Sequence, residues 1–246
     1  MYKLHQYFQI LRRYLLIPLE SHRHVLTGLL ALFLCIEWGP LTVERSRWGI
    51  ASGDPFVREV AFTFDDGPRE WGMYELIGTL RNLEVPATFF VVGKFAERYG
   101  FITRDIADAG HEIANHSYTH PRLYALWEEK IMKEAERCNE VVERLGIPVP
   151  RFLRPPGGSF NMKIVRVMRK MNMKLGLWNV NSADYTKETA QQIADDVLKK
   201  VRPGSVILMH SGLFQTVEAM PVIVETLRER GYGFVTLQDM WNGGLI

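Results

Sequence analysis

Short apolar, β-rich runs alternate with helix-like stretches along this chain, and that alternation restricts the possible folds more than any other feature. The runs cover residues 59–64, 87–92, 112–115, 152–153, 174–178, 206–209 and 234–237. Between them, apolar residues recur at helical spacing over 71–83, 94–109, 122–145, 159–171, 186–201 and 216–230. Gly110, Gly146 and Gly231 sit just past three of these stretches, where a helix C-terminal cap is expected. Strands that alternate with helices predict a parallel sheet or barrel with helices outside it. With 246 residues, 47% of them hydrophobic, the chain can bury a full core within one domain. It carries no internal repeat and no low-complexity segment.

The first of these runs stops abruptly at Asp65-Asp66-Gly67-Pro68, which describes a buried strand ending in a turn. Two carboxylates at the end of such a strand lie at the mouth of the sheet, where α/β folds place their chemistry. One of them can hold a metal while its neighbour faces a substrate. Some fifty residues later comes His116-Ser117-Tyr118-Thr119-His120. One helical turn between the histidines would put both rings on one side, roughly 6 Å apart at Cβ. Two imidazoles and one carboxylate leave open coordination positions and suit a catalytic zinc or a similar divalent ion. Either motif alone is ordinary, since Asp-Gly-Pro is common turn chemistry and the histidines stand beside Pro121. Their conjunction points to metal-assisted hydrolysis.

Three further motifs follow in order: Arg154-Pro155-Pro156-Gly157-Gly158, then Trp178 through Asp184 and Tyr185, then Val206-Ile207-Leu208-Met209-His210. With them, the chain from roughly residue 58 to 240 resembles the polysaccharide deacetylase family, the NodB-like carbohydrate esterases. The resemblance implies a distorted (β/α) barrel with fewer than eight regular strands. It implies Asp65 as catalytic base, Asp66, His116 and His120 as metal ligands, and Arg154 as the partner of the base. It further implies His210 as general acid tuned by Asp184, and Gly157 as an oxyanion donor through its backbone N–H. Tyr185 and Leu208 are expected at the substrate, Leu208 with most of its surface in the core. The metal is expected to be zinc, with cobalt or nickel as alternatives. Two positions depart from the family pattern: Asn181 stands where aspartate is frequent, and Tyr185 where tryptophan is usual.

The same residues make chemical sense on their own. An amide is a poor electrophile, so its hydrolysis needs an activated water, a stabilised oxyanion and a protonated amine leaving group. Asp65 held by Arg154 supplies a base, a metal on Asp66, His116 and His120 a Lewis acid, and His210 beside Asp184 an acid. The expected substrate is an N-acetylated polysaccharide such as peptidoglycan or a chitin-like glycan. Two other readings are a catalytically silent glycan-binding protein of this fold and a two-histidine, one-carboxylate iron oxygenase. The second of these leaves Asp65 and His210 without a role.

Charge argues against a nucleic-acid partner. Residues 1–60 hold seven basic and five acidic residues, leaving 23 of each in the remainder. Residues 1–57 read as a separate N-terminal segment and 58–246 as the catalytic domain. Within that segment, 25–36 is an unbroken, mostly apolar run preceded by Arg12, Arg13 and Arg23. At about 18 Å it is short for a spanning helix. Leu4, Tyr7, Phe8, Leu11, Tyr14 and Leu15 ahead of it recur at helical spacing and suit a membrane surface. No small-residue cleavage site follows at the right distance, so an uncleaved membrane anchor that exports the domain is expected over a removed signal. That places the protein outside the cytoplasm, membrane-anchored or secreted. Cys35 and Cys138 fall in an apolar run and a helical stretch, which argues against a structural disulfide. The oligomeric state stays open.

Overall fold

The structure is a computed structural model, and residues 45–46 and 48–243 are described. The N-terminal run at 25–36 and the surface-seeking segment before it lie outside the described residues. Among the described residues, no helix is long and apolar enough to cross a membrane.

Ten strands of the described residues form one curled sheet: β1 (Arg45–Ser46), β2 (Gly49–Ile50), β3 (Glu59–Gly67), β4 (Ala87–Val91), β5 (Glu112–Asn115), β6 (Phe152–Leu153), β7 (Lys174–Gly176), β8 (Val180–Asn181), β9 (Ser205–His210) and β10 (Gly233–Phe234). Their order is β1-β2-β7-β6-β5-β4-β3-β9-β8, with β10 pairing on β3. Every pairing is parallel except the β1–β2 hairpin. Only β3, β4, β5 and β9 reach four residues, so the expected barrel with fewer than eight regular strands is what forms. The hairpin ahead of residue 58 also joins the sheet. Past β2, Ser52 bridges to Ser205 and Gly53 donates to the Gly204 carbonyl at 2.7 Å, drawing the β7 side toward the start of β9.

Among the described residues, eight α-helices pack outside: α1 (Met73–Asn82), α2 (Gly93–Arg98), α3 (Gly100–Asp108), α4 (Glu128–Arg144), α5 (Met162–Lys170), α6 (Ala190–Lys200), α7 (Phe214–Glu229) and α8 (Leu237–Asn242). Alternate strand residues serve two layers. Val60, Phe62 and Phe64 of β3 meet the helices on one face of the sheet. Ala61 joins Phe90, Ala114, Phe152 and Val206 inside the curl, where Leu237 and Met240 of α8 plug its lower end. The inward row that begins at Ala61 continues through Thr63 to Asp65, which carries the site's first residue to the top of the curl.

Three expected elements are corrected. The helix over 94–109 breaks into α2 and α3 at Tyr99, whose φ of −116° and ψ of 47° are not helical. The helix over 122–145 begins only at Glu128, because 122–127 is held as a loop with one 3₁₀ turn. The run at 234–237 ends as a strand at Phe234, since Thr236 and Asp239 form a reciprocal capping box that starts α8 at Leu237.

Candidate active site

A bulge at the end of β3 aims the two carboxylates. Phe64 pairs with Phe89 but Gly67 with Val91, so β3 uses one residue more than β4 between these pairs. Asp66 takes up the excess with φ of 67°, a left-handed conformation that aspartate tolerates better than most residues. Both carboxylates thereby reach one histidine: His116 Nε2 lies 3.6 Å from Asp65 Oδ2 and 3.5 Å from Asp66 Oδ1. His120 Nε2 is 3.0 Å from the same Asp66 oxygen.

Asp66, His116 and His120 offer ligand atoms that all lie within 4.8 Å of one another. The histidines come from a loop, not the helical turn expected from their spacing. Ser117 and His120 both have φ of 63°, and the loop is pinned from below. Asn115 Oδ1 accepts from Ser117 N, while Glu134 of α4 accepts from the backbone N–H groups of Tyr118 and Thr119. His116 Nδ1 donates to the Arg154 carbonyl at 2.8 Å, which leaves the Nε2 lone pair toward the cluster. A ligating imidazole needs that tautomer, so these residues fit a divalent metal. Burial works against the Asp66 charge, but His116 and His120 outweigh it and hold this carboxyl well below the usual range.

Arg154 is fully buried and ties the base to the ligands. Its Nη1 donates to Asp65 Oδ1 at 2.7 Å and to Thr63 Oγ1 at 2.9 Å, while Nε and Nη2 donate to the carbonyls of Gly176 and Leu177. The guanidinium lies 3.9 Å from the Phe90 ring centroid. Burying a charge costs several kcal/mol before partners are counted. The bonded fork and the paired carboxylate offset that cost and fix Asp65 in one orientation.

The acid side is built separately. His210 pairs in register with Asp65 across β9 and β3. Asp184 accepts from His210 Nδ1 at 2.7 Å, His210 N at 2.7 Å, Thr216 Oγ1 at 2.8 Å and Tyr185 N at 3.0 Å. Burial opposes the charged imidazole, but Asp184, with Asp65 and Asp66 beyond it, raises the His210 pKa above its ordinary value. Asp184 is therefore bound to the acid rather than capping the following helix, a role that Thr189 fills. Asn181 keeps a task without a charge: its side chain accepts from Ala183 N at 2.7 Å and stabilises the left-handed residue just before Asp184.

The remaining expected residues divide. Tyr185 is exposed and stands edge-on to His210, with ring centroids 5.1 Å apart. Leu208 is buried and faces inward beneath His210, two residues along β9. Gly157 has φ of 71° in the turn after β6, where a side chain would be strained. Thr63, Asn115, Glu134 and Thr216 position the site and escaped the sequence reading. Nothing in sequence separates them from ordinary polar residues.

Comparison with known proteins agrees with this fold. The peptidoglycan-N-acetylglucosamine deacetylase of Bacillus cereus is 35% identical over 210 residues, covering 83% of this chain and 76% of that protein. The solved structure of the Bc1960 peptidoglycan N-acetylglucosamine deacetylase superposes with a TM-score of 0.79 at 33% identity, covering 84% of this chain and 99% of that one. BA3943 of Bacillus anthracis, described as a pseudoenzyme of carbohydrate esterase family 4, superposes with a TM-score of 0.76 at 27% identity, covering 83% of this chain and 72% of that one. The fold therefore does not guarantee activity, and the side chains at the site decide. The polysaccharide deacetylase family model matches residues 53–176, and together with the 35% identity this shows that the chain belongs to that family.

Proposed function

We propose that this protein is a metal-dependent hydrolase that removes N-acetyl groups from amino sugars of a polysaccharide such as peptidoglycan or a chitin-like glycan. The observation that carries the reading is the register pairing of Asp65, fixed by buried Arg154, with His210, bonded to Asp184, beside the Asp66–His116–His120 cluster. A base and an acid on adjacent strand ends can act on two atoms of one amide.

Asp66, His116 and His120 would hold a divalent metal, which would supply Lewis acidity toward water and the acetyl carbonyl. Two imidazoles and one carboxylate suit zinc, with cobalt and nickel as alternatives. Asp65 takes the proton of the attacking water, its carboxylate held in place by Arg154, whose Nη1 also donates to Thr63. The Gly157 N–H donates to the carbonyl oxygen as it becomes an oxyanion. His210, whose Nδ1–H is held by Asp184, gives the proton on Nε2 to the sugar nitrogen as the C–N bond breaks. Acetate and a free amino sugar result. Tyr185 borders the sugar beside His210. The N-terminal segment anchors the catalytic domain outside the cytoplasm, within reach of an extracellular glycan.

Acetate release from chito-oligomers and peptidoglycan tests this reading, with the full chain assayed before chelation, after it, and with zinc or cobalt restored. Release that chelation abolishes and metal restores is expected. Absence of release from both substrates by metal-loaded protein would sink the reading and favour a silent glycan-binding protein.

A further inference from the structure

Several large, exposed side chains stand on connections that leave the C-terminal ends of the strands, around the mouth of the site. In sheet order they form two banks. Tyr124, Trp127 and Met162 follow β5 and β6, whereas Trp71, Tyr185 and Phe214 follow β3, β8 and β9. Trp127 differs from the rest in how firmly it is presented. It occupies the connection that carries both metal histidines, between β5 and α4. Leu123 and Ile131 on either side of it are fully buried. The loop is also held from α5 and the turn before it: Lys163 Nζ donates to the Leu126 carbonyl at 2.8 Å, and Asn161 Nδ2 donates to the Tyr124 carbonyl at 3.1 Å. Trp127 O accepts from Ile131 N at 3.0 Å in the first turn of α4. Yet the indole is 74% exposed, with only Lys163 Nζ near its face at 5.7 Å.

Exposure alone carries no argument, since Phe56 is 92% exposed just ahead of β3, at the end of the curl away from the site. A large ring that a fixed loop holds in water, on the same connection as His116 and His120, is different. It leaves apolar surface uncovered until a ligand arrives, and ordering that surface costs the ligand little because the loop is already set. The apolar face of a pyranose ring matches a flat indole, while its hydroxyl edges stay in water.

We infer that Trp127 is a specificity-determining residue, the platform for a sugar unit of the glycan chain other than the one that loses its acetyl group. The inference rests on the proposed deacetylase reading and narrows its substrate to a chain of several linked sugars. Asp66 near the end of β3 and the two histidines in the loop after β5 share their strands with the inner members of the two banks, so a chain crossing these strand ends meets an aromatic surface on each side. The platform binds substrate and transition state alike, so its contribution appears in KM more than in kcat.

The test is acetate release by the metal-loaded full chain from N-acetylglucosamine oligomers of one to six units, comparing wild type with Trp127→Ala and Trp127→Phe. Wild-type kcat/KM is expected to rise with length. Trp127→Ala should lose about tenfold on the longest oligomer, mostly through KM, and change little on the shortest one cleaved. Trp127→Phe should recover most of the loss, which separates the lost platform from a disturbed loop. A length dependence absent in wild type, or unchanged in Trp127→Ala, or an equal loss at every length, would overturn the inference while leaving the deacetylase intact. Absence of acetate from every oligomer and from peptidoglycan with wild type would overturn the deacetylase reading, and this inference with it.

Discussion

His116 and His210 each use Nδ1 for a hydrogen bond within the fold, His116 to the carbonyl of Arg154 and His210 to the carboxylate of Asp184. The two sit on opposite sides of the same mouth. A carbonyl fixes a tautomer and adds no negative charge, so His116 presents a lone pair at Nε2, which suits a ligand. A carboxylate fixes the ring as well and also favours its protonated form, so the His210 pKa rises, which suits an acid. The site thus assigns two identical side chains to two roles through the one atom that each Nδ1 meets. Arg154 ties the His116 side to Asp65, holding Asp65 with its guanidinium and His116 with its carbonyl.

The ligand side should be the most sensitive to change. His116→Ala is expected to lose bound metal and bring turnover to background, measured by metal analysis and acetate release on the same sample. Asp65→Asn should keep its metal and lose about 10² to 10⁴ in kcat, the range for a positioned proton acceptor. Near-normal turnover in Asp65→Asn would remove the base from Asp65.

Changing the carboxylate on the acid side comes next. Because the His210 pKa is raised, its proton is retained below that pKa and lost as the pH climbs through it, so activity should fall on the alkaline limb. Asp184→Asn withdraws the charge that holds the proton. That limb should then move to lower pH while metal content stays constant, with kcat down about 10²-fold near neutrality. An unmoved limb would show that another group sets it.

Thr216→Val probes the same carboxylate more gently. It removes one of four donors and leaves a buried oxygen short of a partner, a loss on the order of 1 kcal/mol or about fivefold in kcat. Thr216→Ser restores the hydroxyl and should restore the rate; if the serine variant is as slow as the valine variant, the hydroxyl is not what matters.

Thr216 also marks where sequence stops being informative. Asp65, Asp66 and His210 were legible because each ends an apolar run, and strand ends are where such folds gather chemistry. The ligand set was legible from spacing, although the helical turn invoked to bring His116 and His120 together does not exist. Asn115 and Glu134 shape that loop instead, and neither belongs to a motif. Thr216 lies 32 residues beyond Asp184 and meets it only because α7 starts beside β8 and β9. Some missed signals were nevertheless present. Gly100 follows the break between α2 and α3, and Thr236 with Asp239 spells a helix start inside a run that reads as a strand.

A third histidine sharpens the contrast by having neither partner. His111 is buried against Phe89, ring centroids 5.4 Å apart, and both of its ring nitrogens lack a hydrogen bond. Burial, with a smaller push from Arg81, lowers its pKa to about 4. The folded protein therefore holds this ring neutral, whereas the unfolded chain takes up a proton below its ordinary value near 6.5. Stability contributed here is complete above that value and drains away as the pH falls toward 4. His111→Phe fills the same space without a titrating group. Between pH 7.5 and 4.5, urea unfolding of the wild type should lose roughly 2 kcal/mol more stability than the variant. Deacetylase activity at pH 7.5 should be unchanged, since this ring lies outside the site. Equal losses in the two proteins would show that His111 finds a partner on protonation. The ordering drawn from the other two histidines, in which the atom facing the ring sets its charge, would then hold only where that atom is already in place.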